Sequence, residues 1–238
     1  MLKLASCNDF VRLKGLYPKL FAGYGFEWSL KEFGSLFIYD HIIQSQEKVI
    51  LEFGPGFNLF FTSKLPADAE YWSIDDSGSK LGIGEESKRF ESVVRQREQN
   101  GHRHVHGLLG DDSKVIPDDH FDTVFSISVI EHIPGDVMEN VAKEAFRVLK
   151  PGGTLINTVD IYYGSKKAVE WAAAVEKAGF KTPNAVQNNW AFGGLETTFL
   201  ERSDVRYEIY NKLQHPDIWN ENVPYVTQFA TVCQKAVK

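Results

Sequence analysis

The sequence predicts an α/β fold, doubly wound around a mostly parallel sheet, and three observations support that prediction. Short apolar runs alternate with helical patterns from residue 48 onward, which is the rhythm of βαβ units. One of these runs ends at Phe53 and leads directly into a Gly54-Pro55-Gly56 bend and a short helix. The chain has 238 residues and is 43% hydrophobic, enough for one full core.

The N-terminal part, residues 1–45, is predicted to be a helical cap that belongs to the same domain as residues 46–238. Ser29 and Glu32 form the Ser-x-x-Glu pattern of a capping box, and apolar residues follow them at helical spacing. We therefore expect an N-terminal helical extension that packs on the α/β domain.

Five strands are predicted in the central part of the chain, each a short run rich in apolar and β-branched residues. They cover Lys48 to Phe53, Tyr71 to Asp75, His104 to Leu108, Asp122 to Ile127 and Thr154 to Val159.

Helical patterns separate these strands. A short helix follows Asn58, a charged helix covers residues 85–99, and an amphipathic helix covers residues 136–149 and is ended by a Pro-Gly-Gly triplet. A last helix is followed by Gly179, the residue type that favours a C-terminal cap. The β-rich run at residues 225–235 predicts a final strand.

The glycine bend is typical of a nucleotide-type cofactor site. Glycines let the backbone approach a ligand closely, and a helix start offers unpaired N–H groups. In a doubly wound sheet, the bend after the first strand borders the ligand crevice. A dinucleotide fingerprint needs Gly or Ala at its sixth place, where this chain has Leu59, so the bend alone does not favour a pyrophosphate.

Four segments follow one another in the chain: LEFGPGF, YWSIDDS, GDDSKVIPDDHFDTVFSISVIEHI and RVLKPGGTLINTV. They resemble, in turn, the first motif, the second strand with its terminal acid, the third and fourth motifs, and the following turn and strand of the class I S-adenosylmethionine-dependent methyltransferases. These matches come in the family's order and spacing over roughly residues 48–160, a domain-sized stretch. The resemblance implies a Rossmann-like, seven-stranded sheet and S-adenosyl-L-methionine as cofactor.

The resemblance also implies which residues bind the cofactor. Glu52 and the backbone at Gly54 and Gly56 would hold its methionine part, whose positive charges suit an acidic neighbourhood. Asp75 would accept hydrogen bonds from the ribose hydroxyls. Asp76 is the adjacent acid, and either of the two could instead cap the next helix.

Four further positions follow from the same resemblance. Either Asp111 or Asp112 would accept from the adenine amino group, and the sequence does not separate these neighbours. Ser128 and Val129 would flank the reactive methyl group, although both also suit a plain strand end. Many family members have a third glycine where this chain has Asn58, a residue that can cap the helix itself.

Methyl transfer requires an acceptor aligned about 3 Å from the methyl carbon, and a base if that acceptor is a hydroxyl. His132, just past the fourth strand, is one catalytic candidate because its pKa suits proton transfer near neutrality, although the family often gives this residue a structural role. Asp160, after the fifth strand, is a second candidate. His41 in the cap is a third.

Metal and disulfide chemistry are not expected. His102, His104 and His106 fall on one face of an extended segment, but no acid or cysteine completes a site, so we predict no metal. Cys7 and Cys233 are too few and too far apart for a disulfide scaffold. Reduced thiols and the lack of a long apolar run favour a cytoplasmic protein without membrane contact.

The net charge of −6 argues against nucleic acid as a partner. We therefore expect methyl transfer to a small-molecule acceptor, with a hydroxyl oxygen of a sugar-like molecule or secondary metabolite favoured. The alternatives are a non-catalytic S-adenosylmethionine-binding or regulatory protein and a nicotinamide oxidoreductase. The oligomeric state stays open.

Overall fold

The computed structural model describes residues 2–4, 7–20, 29–76, 85–111, 113–161, 166–181, 201–202 and 225–237. Its strands are β1 (Leu2–Leu4), β2 (Val49–Phe53), β3 (Glu70–Asp75), β4 (Arg103–His106), β5 (Phe121–Ile127), β6 (Leu149–Ile161), β7 (Phe180–Lys181), β8 (Glu201–Arg202) and β9 (Tyr225–Lys235).

Seven strands form the main path of one sheet, in the order β1-β9-β6-β5-β2-β3-β4. The five from β6 to β4 are parallel, whereas β9 pairs antiparallel with β6 and with β1. The chain runs from β2 outward to β4 and then crosses back to β5 on the other side of β2. The predicted doubly wound, mostly parallel sheet is therefore confirmed, and its strand order reverses between β2 and β5.

Helices cover both faces of the sheet. Their bounds are α1 (Cys7–Leu16), α2 (Leu30–Ser45), α3 (Phe60–Lys64), α4 (Glu85–Gln99), α5 (Gly135–Val148) and α6 (Lys167–Lys177), with 3-10 helices at Ser113–Val115 and Ile130–His132. One apolar cluster joins α1, α2 and α3 to the sheet, and a second joins α5 and α6 to its other face. Among the described residues, no helix combines the length and the apolar character that crossing a bilayer requires.

The predicted N-terminal helical extension is present. Helix α2 begins where the Ser29 hydroxyl accepts from the backbone N–H of Glu32 at 3.1 Å, which confirms half of the capping box. The helix packs tightly on the sheet, because a Cβ on Gly34 would lie 2.7 Å from Thr158 Oγ1. This contact places the first turns of α2 over the carboxyl ends of β5 and β6.

Several element boundaries differ from the sequence prediction, and the largest shift is at the start of β6. The amphipathic helix ends at Val148, and Leu149 starts β6 because it is buried and pairs with Phe121. The Pro-Gly-Gly triplet therefore lies inside a long strand. Strand β1 was not predicted, since three residues carry no readable period. Gly179 takes a φ of +100°, which fits its predicted place after the helix.

Candidate active site

The glycine bend lies at the carboxyl end of β2, where the strand order reverses. Open α/β sheets bind ligands at this point. Gly54 and Gly56 both have left-handed φ angles, +69° and +54°. A Cβ on Gly54 would lie 2.7 Å from a methyl of Val129, so only glycine lets the bend approach the end of β5. A Cβ on Gly56 would meet no atom of the described residues within 4 Å, so these residues leave the space beside it open.

Asp75 joins the bend to the next strand. It is the last residue of β3, is 7% exposed, and accepts a hydrogen bond from the Gly56 N–H through Oδ2 at 2.7 Å. The parallel pairing of β2 with β3 brings the two strand ends together. Asp76 follows it and is half-buried.

Glu52 lies on the face of the sheet that α1, α2 and α3 cover, and it is only 2% exposed. The Tyr71 hydroxyl on β3 donates to its carboxyl group. Burial raises the pKa of Glu52 to about 7, and the charge of Asp75 adds to the rise, while the Tyr71 hydrogen bond and the charge of Arg97 act against it. Glu52 therefore changes charge near neutral pH.

Arg97 on α4 is a residue of this site that the sequence prediction missed. Its side chain is fully buried, and its Nη2 donates to the carbonyls of Gly56 at 2.8 Å and Asn58 at 2.9 Å. The signal was present, because Arg97 takes the fourth place of an inward stripe at helical spacing. The other members of that stripe are buried and apolar: Phe90, Val93 and Val94.

Asn58 lies one residue before the N-cap position of α3, which is Leu59, and its side chain still accepts a hydrogen bond from the helix start. Its Oδ1 accepts from the N–H of Phe60 at 2.9 Å, at the start of α3. Its own N–H donates to the carbonyl of Pro55, also at 2.9 Å, and closes the bend. A side chain in place of the third glycine therefore stabilises the turn.

A second group of polar side chains lies across the crevice, at the ends of β5, β6 and β9. Ser128 has a φ of +52°, rare for a residue with a side chain, and its hydroxyl donates to Asp160 Oδ1 at 3.1 Å. Gln228 Nε2 donates to the same oxygen at 2.9 Å and to the Ser128 hydroxyl at 3.1 Å. Gln228 was not predicted, because β9 carries no motif.

Glu131 adds a second acid beside Asp160. It lies on the 3-10 helix after β5, and its Oε2 is buried and makes no hydrogen bond within the part of the chain that the structure describes. Burial, and then the charge of Asp160, raise the pKa of Glu131 well above its usual range. His132, the next residue, has an exposed side chain. The buried acid at this point is therefore Glu131.

Three predicted positions are placed elsewhere or lie outside the described residues. Asp111 is exposed in the turn after β4, and Asp112 lies outside the described residues. His41 is near Glu47, with 3.9 Å between its Nε2 and Glu47 Oε1, at the edge where β2 begins. His41, the third catalytic candidate, therefore lies away from the glycine bend, because α2 runs antiparallel to β2 and carries its last turn to the opposite edge.

The three histidines around β4 make local contacts, and the rings of His104 and His106 meet edge to face with 4.8 Å between their centroids. A ring nitrogen of His102 is 3.0 Å from the Thr62 carbonyl, and His104 Nδ1 is 2.8 Å from the Ser73 hydroxyl. Burial lowers the pKa of His104 to about 3, so its ring is neutral. No group of three metal-ligating side chains occurs in the part of the chain that the structure describes.

The fold and the site define the class of this protein. A parallel sheet that delivers a glycine bend to its switch point, with an acid ending the next strand, is the arrangement of Rossmann-like, cofactor-dependent proteins. Residues 51–157 match the family model described as a methyltransferase domain. This stretch is somewhat less than half of the chain, and it is similar to the class I S-adenosylmethionine-dependent methyltransferases, a class whose cofactor is S-adenosyl-L-methionine.

Parts of this chain are similar in sequence to individual known proteins. It is 36% identical over 75 residues to the sterol 24-C-methyltransferase erg6 of Aspergillus fumigatus, which is 31% of this chain and 19% of that protein. The curated relatives that it matches are much longer, since it spans 19% or less of their length.

Two solved structures extend the likeness in fold. The YcgJ protein of Bacillus subtilis has a TM-score of 0.52 and 15% identity, covering 84% of this chain and 98% of that one. The [4+2]-cyclase SpnF has a TM-score of 0.50 and 14% identity, covering 85% and 82%. At this level of identity, the likeness concerns the fold alone.

Proposed function

We propose that the protein transfers a methyl group from S-adenosyl-L-methionine to a small-molecule acceptor. The observation that carries the proposal is the hydrogen bond between the Asp75 carboxylate and the Gly56 N–H, within the segment that matches the methyltransferase domain. This bond links the acid at the end of β3 to the glycine bend that follows β2. The Asp75 carboxylate therefore lies directly beside the backbone of the bend.

The chemistry of these residues fits the cofactor. Glu52 and the bend at Gly54 and Gly56 would hold its aminoacyl end, because a buried carboxyl complements an ammonium and a sulfonium. Asp75 would accept from the ribose hydroxyls, and the open space beside Gly56 leaves room for a ligand. The bound cofactor would supply an electrophilic methyl group on sulfur.

The remaining cofactor positions are proposed with different support. Val129 contacts the first glycine of the bend, which supports a place for Ser128 and Val129 beside the transferred methyl. Asp76 would be the second acid at the ribose. Asp111 or Asp112 would bind the adenine amino group from the turn after β4.

We propose a hydroxyl oxygen as the acceptor atom and Asp160 as the base that takes its proton. Two donors, Ser128 and Gln228, meet at Asp160 Oδ1, which fixes the carboxylate in one orientation. Burial and the charge of Asp160 raise the pKa of the neighbouring Glu131, which favours the protonated form of Glu131. His132 would act from the exposed rim as the other catalytic candidate.

Residues 1–45 would form a cap over the acceptor side of the same domain as residues 46–238. The support is the close packing of Gly34 against Thr158, beside the side chain of Gln228. A covered crevice suits a small molecule, and the acidic net charge of −6 suits neither RNA nor DNA. We expect the reaction to occur in the cytoplasm.

A second candidate is a protein that binds the cofactor without methyl transfer. The likeness in fold to the cyclase SpnF favours testing it, since that protein's name describes another reaction on a similar fold.

Calorimetry and a transfer assay separate these readings. We expect binding heat with S-adenosyl-L-methionine and with its demethylated product. We also expect label from the methyl group to reach a hydroxyl compound in a panel of sugars and phenols, run beside matched amines. Binding without transfer to any compound would favour the second candidate. An absence of heat with both cofactor forms would overturn the proposal, and a melting temperature raised by NADH instead would point to an oxidoreductase.

A further inference from the structure

Helix α4 buries a charged side chain, Arg97, at a position where an apolar side chain would pack equally well. Its inward stripe is apolar at Phe90, Val93 and Val94, and an apolar side chain at position 97 would complete it. Arg97 occupies that place and is 0% exposed, while Arg95 on the same helix is exposed. Burying a guanidinium costs several kcal/mol unless its surroundings compensate it. The compensation here comes from the glycine bend.

The contacts of Arg97 fix the conformation of that bend. One nitrogen, Nη2, donates to the carbonyls of both Gly56 and Asn58. The N–H of Gly56 is taken by Asp75 from the opposite side. The peptide groups around Gly56 are therefore held by an acid from β3 and a base from α4.

The positive charge of Arg97 also acts on the buried acid Glu52. Arg97 Nε and Nη1 are buried and make no hydrogen bond to any of the described residues. The groups that face Glu52 are Tyr71, which donates to it, Arg97, whose charge favours the carboxylate, and Asp75, whose charge opposes it. Arg97 is the positive member of this set.

We propose that Arg97 is a positioning residue of the cofactor site, which clamps the glycine bend through two carbonyls and keeps Glu52 ready to take up the positive charge of the cofactor. This inference rests on the proposed function, because it concerns the same cofactor. The proposal also links cofactor binding to pH. A cationic ligand favours the ionised form of Glu52, so below the Glu52 pKa of about 7 binding releases a proton from this residue. The affinity for the cofactor therefore rises with pH and levels off above that pKa.

Two substitutions separate the clamp from the charge. Arg97→Met removes both, so we expect at least a tenfold loss of affinity for S-adenosyl-L-methionine at pH 7 and a pH midpoint moved upward. Arg97→Lys keeps the charge but replaces the planar fork with a point donor, so we expect weaker binding with a midpoint near that of the unchanged protein. Glu52→Gln should remove the pH dependence.

The measurement is titration calorimetry of the full chain with S-adenosyl-L-methionine from pH 5.5 to 8.5, in two buffers of different ionisation enthalpy. The matched controls, Arg95→Met and Arg95→Lys, change an exposed arginine of the same helix and should leave affinity and midpoint unchanged. Circular dichroism checks that each variant is folded. If Arg97→Met does not fold, the clamp is tested with Arg97→Lys.

The outcomes are distinct. Unchanged affinity in folded Arg97→Met, or unchanged affinity in Arg97→Lys if only that variant folds, would overturn the clamp. An unmoved midpoint in Arg97→Met, or pH-independent binding by the unsubstituted protein, would overturn the charge linkage. Failure of the unsubstituted protein to bind at any pH would count against the proposed function itself.

Discussion

The two sides of the crevice are built in different ways. The turn side, residues 52–58 with Asp75 and Arg97, depends on backbone geometry, with two glycines at positive φ and peptide groups held by charged side chains. The polar cluster, Ser128, Glu131, Asp160 and Gln228, depends on side chains from three strands and a 3-10 helix, and its bond from Gln228 to Ser128 spans 100 positions. A site made from one continuous bend leaves a motif in the sequence, whereas a site made from scattered side chains does not.

The two sides of the crevice also differ in the charges that surround their buried acids. On the turn side, Arg97 limits the rise in the pKa of Glu52, which reaches about 7. In the polar cluster, the positive charge acting on Glu131 comes from Lys31, an exposed residue of α2, and the pKa of Glu131 rises well above its usual range. The nearby positive charge therefore favours the ionised form of Glu52, whereas the neighbouring acid disfavours the ionised form of Glu131.

The largest expected effect is a loss of turnover, without a loss of cofactor affinity, when the base proposed in the polar cluster is removed. Asp160→Asn keeps an oxygen that can accept from Ser128 and Gln228 but removes the base, so we expect turnover to fall at least about a hundredfold. Cofactor affinity should be unchanged, because the turn side is untouched. Labelled methyl transfer and calorimetry measure the two quantities. A parallel loss of both would show that the sides are not independent.

The second test compares two glycines of the bend. Gly54→Ala and Gly56→Ala each place a side chain at a positive φ, but only the Cβ at position 54 would lie 2.7 Å from Val129. We expect Gly54→Ala to lower the free energy of unfolding by about 1–3 kcal/mol more than Gly56→Ala does, because overpacking adds to the backbone strain. Urea unfolding of both variants gives the difference. Equal losses would mean that Val129 moves aside.

The third test addresses the acid of the turn side. Asp75→Ala removes the proposed ribose acceptor and the bond to Gly56, so we expect at least about a tenfold loss of cofactor affinity, or about 1.4 kcal/mol. The comparison variant is Asp76→Ala, which removes the half-buried second acid proposed at the ribose and for which we expect a smaller loss. Calorimetry measures both, and a larger loss in the comparison variant would transfer the ribose role to Asp76.

The smallest effect concerns the strained residue of the polar cluster. Ser128→Gly and Ser128→Ala both lose the hydroxyl that donates to Asp160, but only glycine relieves a φ of +52°. We expect the glycine variant to be more stable than the alanine variant by about 1 kcal/mol. Thermal and urea unfolding give the comparison. The reverse order would mean that this backbone conformation carries no strain.

The residues of the turn side, apart from Arg97, could be identified from the sequence for physical reasons. An acid placed directly after Val49-Ile50-Leu51 is unusual in a buried strand, and Asp75 follows the next strand at the spacing that a ribose contact requires. Arg97 escaped because eleven of its helix neighbours are polar, and an arginine in such a helix is ordinarily solvated. Its position in the apolar stripe was the one available signal.

The polar cluster was less accessible to prediction. Asp160 was identified by its place after a strand, but Gln228 lies in the middle of a β-rich run that has no motif. Glu131 was passed over in favour of His132, because histidine titrates near neutrality, whereas burial of Glu131 is a tertiary property. The place of His41 at the opposite edge was hidden for the same reason, since helical spacing does not tell which edge of the sheet a helix end reaches.

The position of Gln228 on β9 has a consequence for how the protein is made. Strand β9 is translated last among the described elements, and it pairs with β1, β6, β7 and β8. On the ribosome, the glycine bend and its acid emerge well before the residue that orients Asp160. A nascent chain stopped before position 228 would leave β6 with an open edge and Asp160 without one of its two donors.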